Sequence, residues 1–277
     1  MYLITLTGNT LIITAIHIDP LLSTPMYFFL SNLSFLDICY TTSVVPQLLV
    51  HFLTSHKTIS FNRCMAQLNI SLFLGSTEFF LLAAMAYDRY VAICHPLHYM
   101  AIMGRRVCIQ LVLACWISGF LNALLQTVST VLLHFCGLNT INHFACEVLA
   151  VIKVACAETF VNEILLVVAG VIVLLFPCIA VVLSYVYIIR AILRIRSSEG
   201  RHKAFSTCTS HLTVVTICYG TAAFAYMSPK FNTSPNQDKV LAFFYAVVTP
   251  MLNPIIYSLR NKEVKGALSK AVWKTVC

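Results

Sequence analysis

Seven long apolar runs divide this chain, and few charged residues interrupt them. About 20 residues of α-helix cross the ~30 Å hydrocarbon core of a bilayer, and most of the runs reach that length. Only 10% of the residues are charged, whereas a soluble domain carries about 25%. The pattern predicts an all-α membrane protein, a seven-transmembrane helix bundle that forms one domain over residues 1–277. The runs cover roughly residues 1–18, 26–52, 65–94, 107–135, 161–195, 204–227 and 240–259.

The two ends of the chain carry separate expectations. The first run begins at Met1 and is near the lower length limit, so we expect a first helix that is truncated at its N-terminus. A signal peptide is the alternative, but no basic segment precedes the run and no small-residue cleavage site follows it. After the last run, the segment 260–274 alternates basic residues with apolar ones. This spacing predicts a short C-terminal amphipathic helix on the inner membrane surface.

The basic residues predict the orientation in the membrane. With the N-terminus outside, 13 of the 18 Lys and Arg residues lie on the cytoplasmic side and 5 lie outside. This asymmetry favours an external N-terminus and a cytoplasmic C-terminus. The net charge of +8 is concentrated in short loops beside the membrane, which indicates contact with anionic lipid rather than with nucleic acid.

Four of the 12 cysteines fall in predicted external segments, where disulfides persist. Four cysteines allow three pairings, and the sequence alone leaves the choice open. Three of them lie in the longest loop, from about His134 to Val161, so two bridges would turn this loop into a lid over the bundle. The four are Cys64, Cys136, Cys146 and Cys156.

Four polar residues share one depth inside the predicted spans. Asn9, Asp37, Glu78 and Asn253 each lie roughly 10–18 Å from the cytoplasmic boundary, at 1.5 Å per helical residue. Two carboxylates at one depth must share a proton, bind a cation or hydrate a cavity. The alternative is a hydrogen-bonded packing network with no switching role. Apart from a cation or a proton at Asp37 and Glu78, we expect no cofactor.

Pro177, Pro250 and Pro254 interrupt apolar spans, and each removes a backbone hydrogen bond. Pro250 and Pro254 flank Asn253 in the sequence TPMLNPIIY, which predicts a deformable seventh helix. For the isolated Pro177, a static kink is the favoured interpretation.

Four segments of this chain resemble odorant receptors, which are rhodopsin-like (class A) G-protein-coupled receptors. The Gly8–Asn9 pair and Trp116 match as well, and the resemblance covers essentially the whole chain. It implies a receptor, not an enzyme, that activates a heterotrimeric G protein of the stimulatory olfactory type. It also implies a multi-pass protein of the plasma membrane in the cilia of olfactory sensory neurons. The segments are PMYFFLSNLSFLD at 25–37, MAYDRYVAICHPLHY at 85–99, KAFSTCTSHLTVV at 203–215 and PMLNPIIYSLRNKEV at 250–264.

The resemblance assigns roles to several polar residues. It implies that Asp88 holds Arg89 until the sixth helix swings outward, and it pairs Cys64 with Cys146 and Cys136 with Cys156. It also implies a sodium- or proton-responsive site at the four polar residues named above. A helix end that is merely anchored by Asp88 and Arg89 is the alternative. The full set of predicted switch residues is Asp88, Arg89, Tyr90, Tyr185, Lys203, His211, Asn253, Pro254 and Tyr257.

The resemblance also places a ligand site in the outer half of the bundle, beneath the long loop. The set is apolar with a few hydroxyls, and Ser71 stands where amine receptors carry an Asp, so a cationic ligand would lack its counter-charge. We expect a small, neutral, hydrophobic volatile, with Tyr226 as its hydrogen-bond partner. The alternative is that small members such as Gly75 only pack helices. The predicted residues are Ser71, Leu72, Gly75, Ser76, Phe79, Val148, Ala169, Gly170, Tyr219, Ala222, Ala223, Tyr226 and Phe243.

Other functional classes fit the sequence less well. A transporter would be expected to show two halves with matching interrupted helices, which we do not detect. A membrane enzyme would be expected to carry a nucleophile elbow or an HExxH string, and neither occurs. His134, His143, Cys146 and Glu147 do not have the spacing of a structural zinc site, so no metal is expected. A receptor fold that no longer signals is the remaining alternative.

Overall fold

The computed structural model describes residues 1–54, 57–137, 140–227 and 235–260, together with Gly266. These residues form seven long helices and no β-strand. The predicted C-terminal amphipathic helix lies outside the described residues. The helices are α1 (Tyr2–Ile18), α2 (Pro25–Leu53), α3 (Phe61–Cys94), α4 (Arg105–Val131), α5 (Phe160–Leu193), α6 (Ser198–Met227) and α7, which runs through Pro235–Phe243, Phe244–Val248 and Thr249–Arg260.

The all-α prediction is confirmed, and each predicted apolar run lies within or along one helix. Over the described residues, α2, α3, α4, α5 and the central part of α7 are long and apolar enough to cross a membrane. The 17 residues of α1 fall short of that length. The sixth helix begins at Ser198, several residues before its apolar run, because polar residues continue the helix beyond the membrane-embedded part.

The bundle is organised around α3. This helix packs against α2, α4, α5 and α6, while α1 and α7 contact each other and both contact α2. Leu81, Leu82 and Ala86 on α3 have no measurable exposure and form the centre of the main core. The outward faces of α4 and α5 are also apolar, as Leu113, Ile117 and their neighbours show. Exposed apolar faces on this scale suit a lipid solvent.

Two of the predicted prolines lie next to a local change of helix type. A π-helical segment, Gly170–Leu175, precedes Pro177 in α5, and a second one, Phe244–Val248, precedes Pro250 in α7. Proline cannot donate to the carbonyl four residues earlier and its ring crowds that carbonyl, so the backbone widens there. Pro254 lies inside the last segment of α7 without such a widening.

The long loop between α4 and α5 is fixed by two disulfides. Cys64 at the start of α3 is bonded to Cys146, and Cys136 is bonded to Cys156, which is the pairing that the resemblance implies. A short helix, Val148–Ile152, packs its apolar residues against α3. We call this end of the bundle the loop end and the opposite end, where α3 finishes, the Arg89 end.

Candidate functional site

A buried polar contact joins α2 to α7 in the middle of the bundle. The side-chain amide of Asn253 donates to both carboxylate oxygens of Asp37, at 3.0 and 3.2 Å. Asn9 lies nearby on α1, but its amide donates to the backbone carbonyls of Thr5 and Pro250 rather than to an acid. All three polar side chains are buried. The structure therefore brings together α1, α2 and α7 at the predicted polar layer.

Glu78 supplies the second carboxylate of this layer from α3. It is buried, and it accepts a hydrogen bond from the thiol of Cys218 on α6 at 3.2 Å. Asp37 and Glu78 lie close enough to interact electrostatically. No Lys or Arg of the described residues forms an ion pair with either carboxylate. Two neighbouring acids without a basic partner form a site that could hold a proton or a small cation.

At the Arg89 end, Asp88 and Arg89 lie within electrostatic reach of each other, and each also contacts a second residue. The hydroxyl of Tyr99 donates to Asp88 at 2.8 Å, whereas the guanidinium of Arg89 contacts the sulfur of Met26 on α2. The two charged side chains form no direct ion pair. Consecutive residues on a helix do not face each other, so each side chain finds a different partner. Burial, followed by the charge of Asp88, raises the pKa of Tyr99 above its usual range.

His211 connects three helices near the same end. The Tyr185 hydroxyl on α5 lies 2.7 Å from Nδ1 of His211, and Nε2 of His211 lies 3.1 Å from the backbone carbonyl of Leu82 on α3. A carbonyl only accepts, so Nε2 carries the proton and Nδ1 accepts from Tyr185. His211 is fully buried on α6. This junction holds α6 against α3 and α5.

Arg89 lies close to the other predicted switch residues. It is 8% exposed and lies within electrostatic reach of Tyr185, His211 and Tyr257, which come from α5, α6 and α7. The hydroxyl of Tyr257 is buried and has no hydrogen-bond partner among the described residues. The structure thus gathers residues from four helices around one buried guanidinium.

The remaining predicted switch residues lie apart from this group. Tyr90 is half-buried beside Tyr187 of α5, and its hydroxyl lies 3.2 Å from the ring nitrogen Nε2 of His95. Pro254 packs on Gly8, where an added Cβ would lie 3.0 Å from the proline ring. The side chain of Lys203 lies outside the described residues.

Toward the loop end, α3 and α7 approach closely at a glycine. A Cβ added to Gly75 would lie 2.5 Å from the hydroxyl of Tyr245. The ring of Tyr245 stacks on Phe79, and Phe79 meets Tyr219 of α6 edge-on at 5.1 Å. The Tyr219 hydroxyl donates to the backbone carbonyl of Phe79 at 2.8 Å. Three of the predicted ligand residues therefore meet at one aromatic cluster.

The other predicted residues of α3 point in different directions. Ser76 is buried and accepts a hydrogen bond from Asn122 of α4 at 2.8 Å. Leu72 packs with the loop cluster that contains the buried Val148. Ser71 is half-buried. The predicted single face of α3 is thus shared between α4, the loop and the aromatic cluster.

Helices α5, α6 and α7 border the same region with small or apolar residues. Ala222 is buried in the main core, and nothing lies within 4 Å of a Cβ added to Gly170, which indicates open space beside α5. The side chain of Tyr226 lies outside the described residues. The half-buried members are Ala169, Gly170, Ala223 and Phe243.

Comparison with known proteins decides what this arrangement is. A family model described as "Olfactory receptor" matches residues 1–275. The chain belongs to the olfactory receptor family. Olfactory receptor 2F1 of Homo sapiens is 54% identical over 274 residues, which cover 99% of this chain and 86% of that protein. Olfactory receptor-like protein OLF3 of Canis lupus familiaris is 54% identical over 97% of this chain and 85% of its own length.

Family membership establishes the general function. An olfactory receptor is a membrane-embedded odorant receptor that couples to a G protein and is not an enzyme. The same membership excludes the transporter and membrane-enzyme alternatives. The roles of individual side chains rest on the geometry described above.

Sequence reasoning did not identify four residues of this receptor that the structure places in its polar and aromatic contacts. Tyr99 belongs to a segment that carries the family resemblance, yet its distance of 11 residues from Asp88 gives no sign of their contact. Met26, Cys218 and Tyr245 are apolar-type residues within apolar runs. Met26 contacts Arg89, Cys218 contacts Glu78, and Tyr245 lies against Gly75. These contacts depend on how the helices pack, which the sequence does not show.

Proposed function

We propose that this olfactory receptor binds a small, neutral, hydrophobic volatile in the loop-end half of the bundle. The observation that carries the proposal is the chemistry of the cluster around Phe79. Phe79, Tyr219 and Tyr245 offer aromatic surface. The predicted ligand residues whose side chains the structure describes include hydroxyl groups but no charged side chain. Apolar walls with a few polar groups favour neutral ligands, because an ion would leave water without a counter-charge.

We further propose that ligand binding is transmitted to the Arg89 end and activates a stimulatory olfactory-type G protein, which raises cAMP. The hydrogen bonds of His211 support this step, since they tie α6 to α3 and α5 in the described arrangement. Movement of α6 would break both bonds and open the space around Arg89. A packed junction of this kind supports two discrete arrangements, which is the basis of a switch.

The proposed cellular setting is the plasma membrane of olfactory cilia, with the N-terminus outside and anionic lipid beside the cytoplasmic basic residues. The distribution of Lys and Arg supports this orientation. Disulfides persist in oxidising environments, so the two bridges of the long loop support an external loop end.

We also propose that Asp37 and Glu78 hold a proton or a sodium ion. Their shared burial without a basic partner supports the proposal, because two neighbouring carboxylates repel when both are ionised. Replacing sodium by choline should lower the thermal unfolding midpoint of the purified parent but not that of Asp37→Asn. Equal effects on both proteins would contradict a sodium site at this position.

The ligand class is tested with volatile homologues that share a carbon skeleton but differ in charge. Cells that express the chain with a stimulatory olfactory-type G protein would receive matched alcohols, aldehydes, amines and carboxylic acids, and cAMP would be measured. We expect responses to neutral members and none to members that are ionised at neutral pH. A preference for amines or carboxylates would overturn the proposed ligand class.

A further inference from the structure

Two buried side chains on facing helices carry polar atoms with opposite hydrogen-bonding character. Gln126 on α4 is 1% exposed, and Asn162 on α5 is 4% exposed. Among the described residues, neither Oε1 of Gln126 nor Nδ2 of Asn162 has a hydrogen-bond partner. Buried polar atoms in native proteins are nearly always paired, with protein, water or ligand. An unpaired acceptor and an unpaired donor at one helix interface therefore indicate that a further group binds there.

Both atoms belong to one short part of the α4–α5 interface. Nε2 of Gln126 donates to the carbonyl of Leu165 on α5 at 2.9 Å, which assigns the orientation of the amide and leaves Oε1 as the bare acceptor. Asn162 precedes Leu165 by three residues, which is roughly 4.5 Å along the helix axis and on the same side of α5. One small group could contact both atoms.

This part of the interface adjoins the proposed ligand region. Gln126 lies one turn beyond Asn122, the residue that donates to Ser76. On α5, Asn162 and the half-buried Ala169 are seven residues apart and share the inward face.

We propose that Gln126 and Asn162 form a polar subsite that selects odorants with a hydroxyl group. A hydroxyl both donates and accepts, so it satisfies Oε1 of Gln126 and Nδ2 of Asn162 together. A ketone, an aldehyde or an ether can accept from Nδ2 of Asn162 but has no hydrogen to donate to Oε1 of Gln126. A hydrocarbon forms a hydrogen bond with neither atom. The inference rests on the proposed function, because the subsite gives selectivity to the same ligand region.

Charged ligands do not fit this subsite. Glu163, the acid next to Asn162 in sequence, is exposed and accepts from the hydroxyl of Thr159 at 3.1 Å, so it faces away from the interface. Neither Gln126 nor Asn162 can neutralise an ion. The chemistry therefore points to neutral alcohols within the broader class of neutral volatiles.

The test compares n-octanol with its isomer heptyl methyl ether, which has the same size but no donor. The concentration of each probe that shifts the thermal unfolding midpoint of the purified full chain would be measured, together with cAMP in cells. We expect n-octanol to act at about a tenfold lower concentration than the ether, because its hydroxyl makes one additional hydrogen bond, to Oε1 of Gln126. Gln126→Met should remove this difference, because only n-octanol uses Oε1. Asn162→Leu should weaken both probes and keep the difference, because both accept from Nδ2.

A control on the same helix separates the subsite from general damage to α4. Among the described residues, the hydroxyl of Ser129 bonds to the backbone of its own helix, at 2.9 Å, so Ser129→Ala should keep the preference for n-octanol. Equal potency of the two probes on the parent would overturn the subsite and leave the proposed function standing. Retention of the preference in Gln126→Met, or unchanged potency of both probes in Asn162→Leu, would also overturn it. A receptor that responds to no neutral volatile would overturn both proposals.

Discussion

Asn253 of α7 donates both hydrogen bonds of its amide nitrogen to the carboxylate of Asp37 on α2, at 3.0 and 3.2 Å. Both side chains are buried, so each depends on the other for its hydrogen bonds. This contact couples the shape of α7 to an acidic group buried inside the bundle. It lies in the helix segment that follows the π-helical stretch before Pro250.

Replacing Asn253 by Leu should destabilise the receptor. The buried carboxyl group of Asp37 would lose its donor, the Asn253 amide, and leaving a buried polar group unpaired costs about 1–3 kcal/mol. Thermal unfolding of the purified protein in detergent would measure the change. Asn32→Leu is the matched control, since the described hydrogen bond of the Asn32 amide stays within its own helix. Equal losses in the two variants would show that the contact with Asp37 contributes nothing specific.

The close approach of Gly75 and Tyr245 predicts a rescue. Gly75→Ala places a methyl group against the Tyr245 hydroxyl, and overpacking of this kind costs about 1–3 kcal/mol. Tyr245→Phe removes that oxygen and leaves the next ring atom at 3.6 Å, an ordinary contact. The double variant should therefore be as stable as Tyr245→Phe alone in a thermal unfolding assay. A double variant that stays as unstable as Gly75→Ala would disprove the steric explanation.

The contact of Tyr99 with Asp88 predicts an effect at the Arg89 end. Tyr99→Phe removes the described donor to a buried carboxylate and should lower the free energy of unfolding by about 1.5–3 kcal/mol. Tyr87→Phe serves as the control, because Tyr87 is 40% exposed on the same part of α3. Indistinguishable denaturation curves for Tyr99→Phe and the parent would contradict the assigned role.

His211→Phe should raise signalling in the absence of ligand. The variant loses the bonds to Tyr185 and to the Leu82 carbonyl, so α6 is held less tightly against α3 and α5. Basal cAMP, normalised to surface staining, is the readout. Thr216→Val on the exposed side of α6 should keep the parental level, because its hydroxyl bonds only to its own helix. Lower basal cAMP in His211→Phe at equal staining would count against the proposed movement of α6.

The two disulfides should differ in their contribution. Cys64 and Cys146 are separated by 82 residues, and Cys136 and Cys156 by 20. The longer loop loses more entropy when it is closed, so its bridge should contribute ~4.5 kcal/mol against ~3.3 kcal/mol for the shorter one in the chain-entropy model. Denaturation of Cys64→Ser/Cys146→Ser and Cys136→Ser/Cys156→Ser would rank them. The reverse ranking would contradict this account.

The helices of this chain are well predicted from its sequence, because a backbone surrounded by lipid must satisfy its own hydrogen bonds. Apolar runs of about 20 residues must be helical to satisfy their hydrogen bonds, and the observed helices follow those runs. Polar residues are rare in such runs and therefore stand out, and the structure brings two of them, Asp37 and Glu78, close together.

Contacts between helices are harder to predict from the sequence. Asp88 and Arg89 are neighbours in the sequence, yet their side chains point in different directions around α3. Asp88 accepts from Tyr99, and Arg89 contacts Met26. The spacing of Ser76 places it on the predicted ligand face, but its hydroxyl accepts a hydrogen bond from Asn122 of α4. Such contacts depend on the rotation of each helix about its axis, and a broad apolar surface does not fix that rotation.

The most direct test of the account is a cAMP measurement in cells that express this chain with a stimulatory olfactory-type G protein. The parent and Arg89→Ala would be compared across a panel of neutral odorants, with surface staining in the same cells. We predict a response of the parent to at least one neutral odorant and the loss of that response in Arg89→Ala at equal staining. A parent that reaches the surface and stays silent across the panel, or a variant that signals like the parent, would contradict the account.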